Sequence, residues 1–451
     1  MDNISLERRN NLKKTDTNVL QVTSEHLCHS CGACSAVCKQ DAIRFSETVG
    51  GYLFPAIDSD TCTHCGLCYK VCPGIHFGKS LTANMPEDPF VGQIQSCHVG
   101  KAVNNTIFEN SQSGGVTTAL LVHLMVTGQI SGAIVASMST IPPRGKALFA
   151  KSVDDFLLAQ KSKYVPIPML STIPSHEGPL AFVGLPCHMH GLNNLFDYYP
   201  QLKSKVLIKI GLVCDRVLTN AVVDFLAWKA NCSPVKSLVF RDKNKPCYPG
   251  NVVVQSTTGR EAVLDASLRM SIKDLFTPAR CRLCFDKLNV FADVVLGDPH
   301  GLKGIDQKRG ESLVIIRTAR GKELVSAAAA TGTIDLREVN KNDMIEGQNI
   351  QKKRMEWAGY VKGLTQLGGS LPEYCEAVLK HANAPEEEIH KYKKSFLYST
   401  GLDRFVSRKA LLISADSLLR KRKAARMWKE FLDKTKKYMR KPKTFIRMIL
   451  K

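Results

Sequence analysis

Eight cysteines in the first part of the chain stand in two copies of one spacing. Cys28, Cys31, Cys34 and Cys38 form a C-x2-C-x2-C-x3-C run. Cys62, Cys65, Cys68 and Cys72 repeat it, with Pro73 after the last. A tight turn lets three thiolates of a run grip three corners of an iron–sulfur cube, and a remote cysteine closes the fourth. The fourth cysteine of each run serves the other cube. Cys28, Cys31, Cys34 and Cys72 are therefore expected to hold one [4Fe–4S] cluster, and Cys62, Cys65, Cys68 and Cys38 the second. Structural zinc is the competing reading, but zinc sites use distant C-x2-C pairs without a third cysteine two residues on. Lys39 stands after Cys38 where the second run has proline, which leaves the ligand count intact. His29 and His64 lie inside the runs and read as loop residues near the surface, with cluster tuning as the alternative.

Four further cysteines fall at strand ends or in loops, where a ligand should be. Cys187 follows the apolar stretch 181–185 and Pro186, Cys214 ends the stretch 208–213, and Cys281 and Cys284 form a C-x2-C after Arg280. Together they can complete a third tetrathiolate site. Equally, Cys187 and Cys214 can be small buried hydrophobes, leaving Cys281 and Cys284 to another task. Cys97, Cys232, Cys247 and Cys375 lack company and read as structural. His188 and His190 read as active-site loop residues, with metal ligation as the alternative.

A different chemistry is suggested by Ser111-Gln112-Ser113-Gly114-Gly115-Val116-Thr117-Thr118, which opens a helix expected to run to Thr127 and stop at Gly128. Ser113 suits an N-cap. The two glycines let a bulky anion approach the free N–H groups at the helix start, where the dipole favours negative charge. A phosphate or pyrophosphate site and an ordinary glycine-containing cap are both open on this stretch. Asp298, in the Gly297-Asp298-Pro299 turn, is a candidate for cofactor or substrate binding or a turn residue.

The elements that must position these residues follow from pattern. Residues 1–20 read as a mobile lead-in and 21–78 as an α+β ferredoxin-like dicluster domain, with short strands at 42–45 and 52–57. Residues 79–95 read as a linker in which Pro86 and Pro89 favour extended chain. From 96 to 350, apolar strands alternate with helical stretches, the mark of an α/β domain. Strands are expected at 133–136, 180–185, 206–213, 238–240, 252–255, 292–296 and 313–317, and helices at 116–127 and 321–330. No G-x-G and no Walker A sequence occurs, so a Rossmann fingerprint and a P-loop are both excluded.

The motifs, in their order, are those of a known family. Ser111–Gly115, Ser162-Lys163-Tyr164-Val165, Val183-Gly184-Leu185-Pro186-Cys187, Gly211-Leu212-Val213-Cys214 and Phe240-Arg241-Asp242-Lys243 carry the resemblance. Arg280-Cys281-Arg282-Leu283-Cys284, the stretch 292–299 and the stretch 310–318 extend it. The chain resembles the coenzyme F420 hydrogenase/dehydrogenase beta-subunit family, in the form with a fused N-terminal dicluster ferredoxin, over about residues 22–340. The resemblance implies an FAD-containing iron–sulfur oxidoreductase and an α/β flavin-binding domain. It implies the third [4Fe–4S] cluster on Cys187, Cys214, Cys281 and Cys284. It also implies flavin contacts at Ser113, Gly114 and Gly115, with Ser111 and Thr118 in the same stretch and Lys163 and Tyr164 nearby. One departure is Cys247-Tyr248-Pro249-Gly250, where the family often has a Gly-Trp-Pro-like stretch; that loop can shape the substrate side.

The net charge is +21, but residues 404–451 carry 17 Lys or Arg against 3 Asp or Glu. Most of the basicity is therefore a C-terminal property, which weakens a nucleic-acid reading of the body. Residues 351–400 read as helical without a motif, and 401–451 as a helical, basic amphipathic tail. That tail can lie on an anionic membrane surface, or serve as a solvated helix or docking face for an acidic partner. The first twenty residues lack a signal-peptide pattern, no apolar run is long enough to span a bilayer, and sixteen cysteines point to metal ligands in a reducing compartment. A cytoplasmic setting is expected. Two functions follow: a reductase exchanging electrons between a ferredoxin or other redox protein and, through FAD, a small two-electron substrate or coenzyme F420; or a non-catalytic electron-transfer subunit of a larger redox complex.

Overall fold

The structure, a computed structural model, describes residues 17–78 and 88–439. The expected lead-in therefore lies outside the described residues as far as 16, the linker from 79 to 87, and the tail from 440. The cysteine-rich module begins earlier than its expected boundary at 21. Helix α1 (Val19–Ser24) is capped by the Asn18 side chain and buries Val19 and Val22. Each cysteine run then folds into a short helix, α2 (Ala33–Val37) and α3 (Leu67–Lys70), entered through a left-handed glycine, Gly32 and Gly66. Between them, β1 (Ile43–Glu47) and β2 (Leu53–Ile57) pair antiparallel, Ile43 opposite Ile57.

The module does not stand apart from the rest. A Cβ on Gly32 would lie 2.7 Å from the backbone nitrogen of Ser171, and the Leu170 N–H donates to the Cys31 carbonyl at 2.9 Å. Cys31, Ala33, Val37 and Val71 share one apolar cluster with Ile134, Phe182 and Met189 of the α/β domain.

That domain is built on β3 (Ser96–Ala102), α4 (Val116–Val126), β4 (Gly132–Met138), β5 (Gly145–Ala150), β6 (Leu180–Gly184), α5 (Pro186–Tyr198) and β7 (Val206–Leu212). An excursion follows, made of α6 (Ala221–Lys229) and an antiparallel sheet of β8 (Val235–Asp242), β9 (Asn251–Ser256) and β10 (Glu261–Leu264). The short α7 (Ala279–Arg282) leads back to β11 (Val294–Gly297), β12 (Ser312–Ile316), α8 (Ala319–Ala330) and β13 (Ile334–Glu338). The large sheet has the order β13-β3-β12-β11-β7-β6-β4-β5. Its centre, β11-β7-β6-β4, is parallel, and its flanks are antiparallel. Every residue of β6 and β12 is buried, the continuous apolar run expected of strands covered on both faces.

The C-terminal helices are part of this body. In α9 (Ile350–Gln366), Trp357 is fully buried, its ring 5.5 Å from Phe90 and 5.2 Å from Tyr374. The pair is completed by α10 (Glu386–Thr400), whose Phe396 joins the same apolar cluster. The last helix, α11 (Arg408–Met439), buries Leu411 and Ala415 against α6, and Arg408 bonds Glu47 at 2.7 Å. Residues 421–430 are exposed throughout. Among the described residues no helix is long and apolar enough to cross a membrane.

Candidate functional site

Parallel strands bring their carboxyl ends to one edge of a sheet, and ligands bind in the crevice beyond that edge. Here Cys187 follows β6, Cys214 follows β7 and Asp298 follows β11. All three line one cavity of about 820 Å³, together with Ser111, Ser113, Gly115, Thr118, Lys163 and Tyr164. Nine Lys or Arg side chains line it against three Asp or Glu, so it is set for an anionic ligand. Its apolar wall includes Val116, Leu121, Val135, Phe156, Met169, Val183 and Leu296.

Gly114, expected to touch a cofactor, does not line the cavity. Its N–H donates to Ser312 Oγ at 3.2 Å and its carbonyl accepts from the Ala102 N–H at 2.7 Å. A Cβ there would stand 2.4 Å from the Gly100 carbonyl oxygen and 2.5 Å from the Ser312 nitrogen. The glycine is needed so that the loop can pack on β3 and β12. We expect Gly114→Ala to lower stability by about 1–3 kcal/mol, an overpacking cost, read as a fall in thermal midpoint with iron content unchanged. The N-cap of α4 is likewise Gly115, at φ +77°, and not Ser113. No side chain caps the helix start, and Gly115, Val116, Thr117 and Thr118 all line the cavity.

The Ser111–Gly115 loop is held from behind by Lys243, which is 4% exposed. Its Nζ donates to the carbonyls of Phe108 at 2.5 Å and Ser113 at 2.8 Å, with Ser111 Oγ at 3.3 Å. The ammonium also lies 3.9 Å from the centre of the Phe108 ring. Arg241, two residues earlier on β8, donates to Asp298 Oδ2 at 2.6 Å, to the Tyr164 hydroxyl at 3.2 Å and to the Pro249 carbonyl at 3.0 Å. Asp298 is thus a paired carboxylate, oriented by Arg241. Tyr248, from the unusual 247–250 loop, carries the Arg241 guanidinium over its ring, while Cys247 is exposed. Lys163 bonds the carbonyls of Ala159 and Gln160, and burial with the neighbouring Lys161 charge pulls its ammonium down to about 7.

Cys187 after β6 and Cys214 after β7 line this cavity, and Cys281 in α7 and Cys284 just after it act electrostatically on both. Burial is the first cause that raises the Cys187 thiol far above its ordinary range, and Cys214, Cys31, Cys281 and Cys284 add to it as neighbours. Burial likewise raises Cys214, with Cys281 and Cys284 adding to it, and burial raises Cys281 and Cys284 themselves. In the module, burial pushes Cys28 up to about 12 and Cys72 to about 11; Cys72 adds to the rise at Cys28, and Cys28, Cys31 and Cys72 add to that at Cys34. Cys68 has Cys65 and Cys62 as neighbours, and the Cys38 sulfur accepts from the Ala42 N–H at 3.4 Å. A buried thiol gives up its proton to a metal that it coordinates. Their donor chemistry, sulfur alone, fits cubanes; among the described residues no three His, Cys, Asp or Glu side chains are grouped for a single ion.

Neither pair of histidines behaves as expected throughout. His64 is exposed, but His29 lines the cavity with its Nε2 buried and unpartnered. His188 and His190 lie on α5, not in a loop. His188 Nδ1 accepts from the Leu185 N–H at 3.1 Å at the helix start. His190, 1% exposed, pairs with the fully buried Asp286 at 3.0 Å and stacks on Phe77 at 3.9 Å.

Residues 97–174 match the N-terminal part, and residues 178–342 the C-terminal part, of the coenzyme F420 hydrogenase/dehydrogenase beta subunit. The chain belongs to this family. Ahead of the beta-subunit region, residues 27–74 match a 4Fe-4S dicluster domain. Among its relatives is the coenzyme F420-dependent sulfite reductase of Methanocaldococcus jannaschii, 25% identical over 74% of this chain and 51% of that protein. The chain thus spans about half the length of that relative. The coenzyme F420 hydrogenase subunit beta of Methanosarcina barkeri is also 25% identical, over 57% of this chain and 86% of its own. A chain of the F420-reducing [NiFe] hydrogenase complex from Methanosarcina barkeri shares the fold, with a TM-score of 0.51 and 23% identity over 64% of this chain and 98% of its own.

For this F420-type beta-subunit chain, cysteine spacing alone does not reveal Lys243, Arg241 or Lys353. Lys353, 8% exposed and contributed by α9, lines the cavity and acts electrostatically on Cys214, Cys281, Cys284 and Asp215. The first two sit in the Phe240–Lys243 motif; nothing local marks the third.

Proposed function

We propose that the chain is an iron–sulfur flavoprotein oxidoreductase. It passes electrons between a ferredoxin-type donor or acceptor and, through FAD in the 820 Å³ cavity, a two-electron organic substrate such as coenzyme F420. The observation that carries this reading is that the uncapped start of α4 and the thiols Cys187 and Cys214 open on the same cavity. Bound there, FAD would supply the exchange between single electrons and a hydride, which cubanes alone cannot make. Ser111, Ser113, Gly115 and Thr118 would hold its pyrophosphate against the α4 N–H groups, a helix start being a ready anion site. Lys163 and Tyr164 would lie beside it, and Arg241 keeps Asp298 and Tyr164 in fixed orientation. Cys28, Cys31, Cys34 and Cys72 would carry one [4Fe–4S] cluster, Cys38, Cys62, Cys65 and Cys68 a second, and Cys187, Cys214, Cys281 and Cys284 a third. The set containing the exposed Cys65 is the one open to a partner redox protein.

The second reading, a non-catalytic electron-transfer subunit, draws on one observation: relatives are named as subunits of larger enzymes. Viologen-linked reduction of coenzyme F420 by the isolated, FAD-loaded chain separates the two. Turnover by the chain alone supports the reductase; turnover that appears only on adding a second protein supports the subunit.

A further inference from the structure

Arg280 is among the largest fully buried side chains of the protein, 1% exposed. It precedes Cys281 in α7, and its Nη2 donates to the carbonyl of Pro73, the residue after Cys72, at 3.1 Å. The guanidinium lies 4.5 Å from the centre of the Phe77 ring. Its Nε and Nη1 are buried with no hydrogen-bond partner. The Tyr374 hydroxyl faces it, but that group is neutral and donates to the Leu283 carbonyl at 2.5 Å. The contrast with Arg282 is sharp. That guanidinium bonds Ser399 Oγ at 2.9 Å, the Tyr360 hydroxyl at 2.6 Å and the Asp274 carbonyl at 3.0 Å.

Arginine cannot shed its proton, and a buried charge without a counter-charge costs more than a folded chain tolerates. No carboxylate is paired with Arg280 among the described residues, yet cysteines stand on both sides of it: Cys281 is next in the chain, and Cys72 precedes the Pro73 that it bonds. Cys28 and Cys72 on the module side, and Cys281 and Cys284 on the sheet side, all feel its charge. Resting on the reading of these cysteines as cluster ligands, we propose that Arg280 is the shared counter-ion of two thiolate sets, Cys28/Cys31/Cys34/Cys72 and Cys187/Cys214/Cys281/Cys284. In that role it raises the reduction potential of both clusters. Net charge and hydrogen bonding around the sulfurs are the levers by which a protein sets such potentials. A fixed positive charge favours the reduced, more negative state, so each inner cluster takes one electron without any proton moving at Arg280. In the remaining set, Cys68 is acted on by Cys65, Cys62 and backbone N–H groups, and the arginine beside Cys38, Arg44, is exposed and paired with Asp41. Electrons are thereby drawn from the outer set toward the cavity.

The test is an anaerobic redox titration of the full chain with dithionite, followed by electron paramagnetic resonance, beside an iron count. In Arg280→Gln with full iron, the reduced-to-oxidised ratio of both inner clusters at the wild-type midpoint should fall about tenfold, equivalent to about 59 mV for a one-electron couple, while the outer cluster stays put. Arg280→Lys keeps the charge and should stay within about threefold of wild type. Full iron with unmoved potentials in Arg280→Gln, an equal shift in all three clusters, or loss of iron in both variants overturns the proposal. If Arg280→Gln alone loses iron, Arg280→Lys decides: wild-type inner potentials sustain the role, and lowered ones end it. A wild-type protein with only two clusters would instead overturn the ligand reading on which the proposal rests.

Discussion

Cys214→Ser should leave about eight irons per chain in place of about twelve and cut FAD-linked turnover by more than about a hundredfold, since even outer-shell changes at metal sites cost 10–100-fold. Cys214 leaves the end of β7 with its N–H donating to the Lys287 carbonyl at 3.0 Å, and it lines the cavity while neighbouring Cys187, Cys281 and Cys284. Serine fills almost the same space, so β7 and the cavity wall persist, but its hard, protonated oxygen does not replace a thiolate toward iron. The eight module cysteines are untouched, and their iron should remain. Cys232 is the control, fully buried in the apolar cluster under α6 and the three-stranded sheet. Cys232→Ala should keep every iron and lose about 1 kcal/mol of stability as an ordinary core truncation. Twelve irons in Cys214→Ser would remove that residue from the ligand set.

Lys243→Met should weaken FAD binding about 10–100-fold while the iron count stays at the wild-type value, because each hydrogen bond to a charged group contributes about 1.5–3 kcal/mol. The side chain touches no ligand. It ties the carbonyls of Phe108 and Ser113 together, and those ties aim the loop that leads into α4. Met has similar bulk over the Phe108 ring but donates nothing. A pH signature distinguishes this role from general destabilisation. Burial, the leading cause, pulls the Lys243 ammonium down to about 8 from an ordinary 10.5. The folded state therefore sheds this proton before the unfolded state does. Its burial weighs fully against folding below about pH 8, and stability rises as pH climbs from about 8 toward 10.5. FAD affinity should do the opposite over the start of that window, falling above pH 8 as the charge-assisted ties weaken. Equilibrium flavin titrations at pH 7 and pH 9 should show a larger fall in wild type than in Lys243→Met, where only the loss of charge at Lys163, which burial pulls down to about 7, remains. An equal fall in the variant would move the effect to another group.

Much of this site can be read from the sequence, for reasons that also explain the gaps. Strong local constraints survive without a fold: three thiolates on one turn, and unbroken apolar runs such as 180–184 and 312–316 for strands buried on both faces. The strands β3, β5, β10 and β13 are not expected from the sequence, because their burial is mixed and their apolar stretches, such as 147–150 in β5, are short and mostly half-buried. Gly114 reads as a site residue because the backbone freedom that would admit an anion is also the freedom needed for close packing on β3. Ser113 lost the N-cap to Gly115 because the left-handed turn comes two residues later. His29 reads as a surface residue because a loop is usually exposed, whereas the module packs that loop against the α/β domain. Lys353 was out of reach for a different reason. A lysine in a helix of polar composition becomes a cavity residue only when α9 docks through Trp357, and that docking is a long-range event.

The most direct measurement is an inventory of the intact chain purified without oxygen: iron, acid-labile sulfide and released flavin per polypeptide. About twelve irons, matching sulfide and one FAD are predicted, the content of three cubanes and one flavin. About eight irons and no flavin after incubation with excess FAD would contradict the account. That result would leave a dicluster module fused to a domain whose cavity takes some other anion.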